Sequence, residues 1–431
     1  MHFSSSDKYR ATQQSDAQSG PNTTLGETNG GPLSDVKVLD ISNFLAAPMA
    51  SMFLADFGAE VIKVERPGRG DELRMWGESK DGVGLYFKVV NRNKKSIELD
   101  LHTAFGREAV KRLVAKVDIL VENFRPGTLE RWGLSYESLR EINPRLIVLR
   151  ITGFGQKGPY SARPGFGTLA EAMAGYVNIN GQEDSPPLLP GFGLADASTG
   201  LMGAFLTLTA LAEQRRTGQG QVIDLAIYET LLTLIGPHVV NFDQLGLIQQ
   251  RNGSRLPFVA PRNIYRTRDG HYVSIAGSSQ SVFERICRAV GAPDLSTDQR
   301  YIDNRQRLKH AKALDDDLMH AMSAFDLEEL LLRFEEHEAA IFPVYNVQDI
   351  ANDPHIRARE DIVSLQDEQL GTLRMQNVVG KLSRTPGKVR KAGPFAGEHN
   401  QEILVDELGF TEAELAKAGI ALRENEIGTE Q

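Results

Sequence analysis

The 431-residue sequence contains one cysteine, Cys287. That excludes a disulfide framework within the chain and a cysteine-rich structural zinc site. Cys287 falls on the apolar side of a helical pattern with Val282 and Ile286, so it reads as a buried, inert thiol. No apolar run reaches the ~18 residues of a membrane span. Positive charge is also in deficit. There are 48 Lys and Arg against 57 Asp and Glu, a net charge of −9, which gives no support for nucleic acid or an anionic membrane as a partner. The opening "MHFSSSDKYRATQQSD" lacks the apolar core of a secretory signal, and its scattered acids do not suit a transit peptide, so the cytoplasm is the expected compartment. GxxxxGK[ST], HExxH, GxSxG and CxxC are all missing. The nine histidines are scattered, so no metal is expected.

What is present reads as α/β. Residues 1–33 are rich in Ser, Gly, Thr, Asn and Gln and poor in aliphatics, and are expected to form a disordered extension. "VKVLDIS", "APMASMFLADFG" and "AEVIKVE" give strand, helix and strand within 30 residues, the pattern of a parallel βαβ unit. "AFGREAVKRLVAKV" then sets Ala109, Val110, Leu113, Val114 and Val117 on one helical face. "DILVENF" and "RLIVLRITGFG" read as further strands, and "STGLMGAFLTLTALAEQRR" (198–216) as a long helix. Together they predict an α/β domain with a parallel sheet over 34–235, which the resemblance described below makes an open Rossmann-like one. From about 250 the texture changes: "NIYRTRDGHYVSIAG" is a hairpin turning at Asp269-Gly270, followed by helical segments. A linker and a smaller α+β domain are expected over 236–350. A return linker and C-terminal helices packing on the large domain are expected over 351–431.

Two stretches carry candidate chemistry. "GFGQKGPY" (153–160) spells GxGxxG after a strand, but Pro159 and Pro164 work against the helix start that a pyrophosphate cradle requires. The loop of small residues instead leaves space for a ligand or another backbone segment at a strand's carboxyl end. In "GFGLADASTG" (191–200), Asp196 stands at the junction of a glycine-containing loop and the long helix. From the spacing alone a helix N-cap is favoured. An ionised, poorly hydrated carboxylate acting as a nucleophile is compatible with the same position.

Several blocks, "ADFGAEVIKVERPGRGD" (55–71), "NRNKKSIELDL" (91–101), "VENFRPGTLERWGL" (121–134), "GLADASTG" (193–200), "TGQGQVIDLAIYE" (217–229) and "GEHNQEIL" (397–404), occur in an order that resembles the family III CoA-transferases. The family includes formyl-CoA transferase and the crotonobetainyl/carnitine CoA-transferases. The resemblance implies a Rossmann-like domain plus a smaller one, in two chains interlocked as a homodimer. It implies no permanently bound cofactor, with coenzyme A and acyl-CoA as substrates alongside a carboxylic acid. It places the nucleophile on Asp196, passing through an aspartyl mixed anhydride and an enzyme–CoA thioester. CoA contacts fall on Leu45, Ala46, Arg66, Leu99 through His102, Asn123, Phe124, Arg125 and Arg131, and the acyl pocket on Phe166, Gly167 and the "GFGQKGP" loop.

Two departures from the family pattern matter. The racemase branch carries a His-Asp pair where Phe166 and Gly167 stand, and Phe166 has no proton to exchange. The glycine run of formyl-CoA transferase is missing between 250 and 280, which argues against oxalate as acceptor. An acyl-CoA racemase and a non-catalytic CoA-binding paralogue are the alternatives.

Overall fold

The computed structural model describes residues 30–422; the N-terminal extension expected to be disordered lies almost wholly outside them. The chain opens with β1 (Lys37–Asp40), α1 (Ala46–Asp56) and β2 (Glu60–Glu65), then a short ladder of β3 (Ser79–Lys80) and β4 (Val83–Gly84), α2 (Leu85–Val90) and β5 (Lys94–Glu98). It continues through α3 (Ala104–Val114), β6 (Ile119–Glu122), α4 (Thr128–Arg131), α5 (Tyr136–Ile142) and β7 (Ile147–Thr152). Next come α6 (Gly167–Met173), α7 (Tyr176–Ile179), α8 (Leu194–Thr217), β8 (Val222–Ala226), α9 (Ile227–Leu234) and α10 (His238–Leu245).

Six strands form one sheet in the order β5-β2-β1-β6-β7-β8, parallel at every pairing. This is the doubly wound order, whose ligand crevice lies outside the carboxyl ends of the strands, where the order reverses. β6 and β7 read as near-continuous aliphatic runs because both faces are covered, whereas the edge strand β5 reads KKSIE. One face packs on α3, α5 and the C-terminal segment through Leu39, Ile62, Leu113, Leu120, Ile403 and Leu404. The other packs on α1 and α8 through Val38, Ala47, Ala50, Leu149, Ala195 and Ala204.

α8 turns its small residues inward. A Cβ on Gly200 would lie 2.6 Å from the Met49 Cβ, and one on Gly203 would lie 3.2 Å from the Ala50 Cβ, so α1 and α8 approach closely. Its large side chains, Leu201, Phe205 and Leu208, are exposed. α8 also corrects the expectation that no segment has the length and apolarity of a membrane span. Among the described residues it is the one helix that does, a property shared with core helices of soluble folds.

A second cluster forms around β9 (Arg262–Arg266), β10 (Tyr272–Ala276), α11 (Gln280–Ala289), α12 (Asn304–Lys309), α13 (Ala311–Met322), α14 (Leu327–Glu336) and β11 (Ile341–Pro343). β9 and β10 are the hairpin turning at Asp269-Gly270, with Tyr272 opposite Arg266. β11 adds an unforeseen third strand. Cys287 is buried here and free, and burial pushes its thiol up to about 12. A further hairpin, β12 (Ile362–Asp367) with β13 (Gly371–Gln376), occupies the stretch expected to be a linker.

The chain then returns to the sheet. The edge of β5 is capped by "GEHN": Ser96 N–H meets His399 Nδ1 at 3.2 Å, Glu98 N–H donates to Asn400 Oδ1 at 2.8 Å, and His399 N–H donates to the Ser96 carbonyl at 2.9 Å. That covers an otherwise open edge strand. Residues Gln401–Glu407 wind as a π-helix rather than an α-helix.

Candidate active site

The cleft begins with a strained turn. After β1, Phe44 adopts φ +64°, a conformation that a bulky side chain takes only when its surroundings impose it. The surroundings are identifiable. Phe44 N–H donates to Asp71 Oδ1 at 3.1 Å. On the preceding residue, Asn43 N–H donates to Asn123 Oδ1 at 2.9 Å and Asn123 Nδ2 donates back to the Asn43 carbonyl at 2.7 Å. The Phe44 ring meets Trp76 at 5.5 Å and Phe166 at 6.2 Å, edge to face. Leu45 is the residue from which α1 starts.

A fully buried charge network holds this turn from below. Lys63 Nζ lies 2.7 Å from Asp71 Oδ2 and also donates to the Ser42 carbonyl. Lys94 Nζ lies 2.9 Å from Asp40 Oδ2 and donates to Asn91 Oδ1 and the Pro48 carbonyl. Burial alone would raise the Asp40 carboxyl, but Lys63 and Lys94 outweigh it and hold Asp40 well below the carboxylate range. Burial pushes Lys94 down to about 8. The "NRNKKS" block is thus largely architectural: Arg92 pairs with Asp56 at 2.6 Å and reaches the Gln376 carbonyl, tying β13 to the sheet.

Two adjoining clefts open at the carboxyl ends of the strands, sharing Asn43 and Phe124. The smaller, about 50 Å³, is lined by Arg66, Leu99, Asp100, His102, Phe124 and Trp132, among others. Trp132 stands edge to face with both His102 and Phe124, at 5.0 and 5.1 Å. The larger, about 250 Å³, is lined by Leu45, Ala46, Asn123, Arg125, Thr152, Arg163, Phe166, Asp196 and Ile227, among others. The residues singled out in the sequence therefore converge on one continuous crevice, with two exceptions. Arg131 lines neither cleft and donates to Thr128 Oγ1 at 2.8 Å. Gly167 lies behind the cleft, against Asp196.

Asp196 is not the N-cap that its spacing favoured. α8 starts four residues earlier than the pattern indicated, from a Gly193 cap, so Asp196 is its third residue. Its carboxylate accepts no hydrogen bond among the described residues. Nor does the helix terminus hold it low: burial pushes it up to about 6, and the charge of Glu171 adds to that. The result is a half-buried, unbonded carboxylate facing the cleft, ionised at neutral pH.

The "GFGQKGPY" loop starts no helix. A Cβ on Gly153 would lie 2.5 Å from the Gly165 Cα, so the glycines let the loop fold back on itself beside Asp196. Sequence reasoning missed Tyr86, Trp132 and Glu171. The Tyr86 phenol is pushed up by burial and by the charge of Asp196, which places it within reach of the carboxylate's field. Among the described residues no group of three or more His, Cys, Asp or Glu side chains is arranged to hold a metal.

A family model described as CoA-transferase family III matches residues 33–400. The chain is 45% identical over 386 residues to succinyl-CoA–D-citramalate CoA-transferase of Chloroflexus aurantiacus, covering 89% of this chain and 96% of that one. It is 39% identical over 394 residues to the beta subunit of succinyl-CoA–L-malate CoA-transferase of the same organism, covering 90% and 97%. The crystal structure of a CAIB/BAIF family protein from Brucella suis superposes with a TM-score of 0.78 at 33% identity, covering 88% of this chain and 99% of that one.

Proposed function

This chain belongs to CoA-transferase family III, and on that premise we propose that it moves CoA from succinyl-CoA to a second dicarboxylic acid, with Asp196 as the covalent nucleophile. The observation that carries the reading is the Asp196 carboxylate itself, ionised and unbonded at the wall of a cleft.

In the proposed sequence, an Asp196 oxygen attacks the thioester carbonyl carbon. The C–S bond breaks and the CoA thiolate leaves, giving a mixed anhydride. The thiolate then attacks the Asp196 carbonyl carbon, releases the first acid and forms an enzyme–CoA thioester. The incoming carboxylate attacks that thioester, and the same two steps run in reverse. Covalent capture divides one difficult exchange into acyl transfers of comparable energy.

The clefts suit the two ends of an acyl-CoA. The nucleotide end belongs in the smaller cleft, where Arg66 supplies a permanent positive charge for phosphate and Trp132, His102 and Phe124 supply ring surfaces. The thioester end belongs beside Asp196. Arg125 and Arg163 line the same cleft and carry the charge that a distal carboxylate would pair with. This agrees with the dicarboxylates named for both Chloroflexus relatives. A racemase has no support at Phe166, which offers a ring and no titratable proton.

The reading includes a homodimer with interlocked chains. Leu201, Phe205 and Leu208 on α8 and Val239, Val240, Phe242 and Leu245 on α10 are exposed, an apolar surface suited to a second copy.

The test is a panel of dicarboxylates and monocarboxylates incubated with succinyl-CoA, with each new thioester identified by mass spectrometry. Transfer to dicarboxylates and not to monocarboxylates is expected. Transfer to monocarboxylates alone would overturn the substrate assignment.

A further inference from the structure

Glu171 has no part in the chemistry described so far, yet it is 3% exposed and no cation pairs with it among the described residues. Its carboxylate accepts one hydrogen bond there, from the Ala195 N–H at 3.2 Å. Ala195 is the second residue of α8 and Asp196 the third. Glu171 is also four residues beyond Gly167 on α6, and residues four apart share a helix face. That face therefore presents a bare Cα to the Asp196 carboxylate at one level and a second carboxylate to the start of α8 at the next. A capping role alone would be met by a neutral acceptor, without the cost of burying an unpaired charge.

We propose that Glu171 is a positioning residue for Asp196: it fixes the first turn of α8 through the Ala195 amide and sets a negative charge behind the nucleophile that is relieved as Asp196 is acylated. This rests on the reading of Asp196 as nucleophile. In the first step the new C–O bond forms at Asp196, the C–S bond breaks, and the electron pair leaves on the CoA sulfur with no proton transferred. The charge that stood beside Glu171 has then moved to the thiolate. An interaction that opposes the ground state more than the transition state accelerates the step.

The other titratable or charged groups near Asp196 are few. They are Tyr86 on α2, and Arg125 and Arg163 in the loops that line its cleft. α1 contributes Ala46 and α9 contributes Ile227; the nearest acid on α9, Glu229, is held by the Ala226 N–H at 2.9 Å. Burial is the first cause of the raised Asp196 carboxyl, and Glu171 is the one neighbouring charge that adds to it.

Glu171→Gln keeps an oxygen for the Ala195 N–H and removes the charge. The experiment measures, as a function of pH, the rate at which succinyl-CoA alone loads the wild-type and variant enzymes, reading the adduct on the peptide that contains Asp196. In Glu171→Gln the acid limb should move down by about one pH unit and the plateau rate should fall about tenfold. An acid limb that coincides with wild type overturns the inference and leaves the reading of Asp196 standing. A wild-type adduct on any residue other than Asp196 overturns that reading, and this inference with it. Should Glu171→Gln not fold, Glu171→Asp keeps the charge but withdraws it from the Ala195 amide; a loading rate equal to wild type would then overturn the inference.

Discussion

A Cβ placed on Gly167 would lie 2.2 Å from Asp196 Oδ2 and 2.8 Å from its Cγ. No side chain fits between α6 and the Asp196 carboxylate while Asp196 keeps its orientation. Glycine at 167 therefore leaves the carboxylate the space it occupies. Gly167→Ala should fold, because the methyl meets one rotatable side chain, but it should turn Asp196 away from its productive angle. The expected loss in kcat/KM is about 100-fold, read by steady-state exchange. Unchanged turnover would show that the carboxylate works from another rotamer.

The pH dependence has a definite sign. The proposed attack requires the carboxylate form, and Asp196 is raised from 3.8 to about 6. Activity should be flat above about pH 7 and fall tenfold per unit below 6. A profile of kcat/KM for succinyl-CoA between pH 4.5 and 8 checks this, and an acid limb near 4 would contradict it.

The same shift acts on stability in the opposite sense. A carboxyl whose folded value is raised binds its proton more tightly when folded, so its contribution is most favourable below 3.8 and is lost as pH rises through about 6. Asp196→Asn removes that loss. The variant should be more stable than wild type at pH 7, by ~1 kcal/mol after solvent screening. The difference should vanish near pH 4, while turnover falls at least a thousandfold. Thermal melts at the two pH values test it.

The turn that carries Phe44 and Leu45 depends on Asp71. Its Oδ2 faces Lys63 Nζ at 2.7 Å and its Oδ1 accepts from Phe44 N–H and Leu73 N–H. Asp71→Ala leaves Lys63 with Asp40, at 4.0 Å, as its remaining ion-pair contact, and with the more distant charge of Glu65. Breaking a buried pair in this way costs ~3–5 kcal/mol. Denaturant unfolding should show that loss, and the KM for the CoA ester should rise in the protein that remains folded.

The parallel sheet was legible because β1, β2, β6 and β7 are aliphatic runs covered on both faces, separated by helical periods with clear ends. Asp196 was singled out by its block resemblance, although its spacing favoured a cap, and the structure sets it in the wall of the larger cleft. The cap reading failed because α8 starts earlier, at Leu194, with Gly193 as its cap. β11 is three residues long and does not stand out as more than a loop. β12 opens on Ile362-Val363 and then alternates, a strand signal that the linker expectation passed over. Glu171 was invisible for a different reason. In "LAEAM" it reads as a solvated helix position, and only folding brings it to Ala195, 24 residues on. Gly167 read as the place where the racemase branch carries an acid, whereas its missing side chain is the space that the Asp196 carboxylate occupies. Trp132 sat inside one of the resembling blocks and Tyr86 outside all of them, and neither had a pattern that assigned it to a site.

The central claim is that an oxygen of Asp196 exchanges with the acceptor acid, and isotope transfer reads it directly. Enzyme turning over succinyl-CoA with an acceptor dicarboxylate labelled with ¹⁸O in its carboxylates should acquire label in the peptide containing Asp196. The reason is that the second thiolate attack leaves the acceptor's bridging oxygen on that side chain. Product thioester formed while that peptide stays at its natural mass would contradict the account.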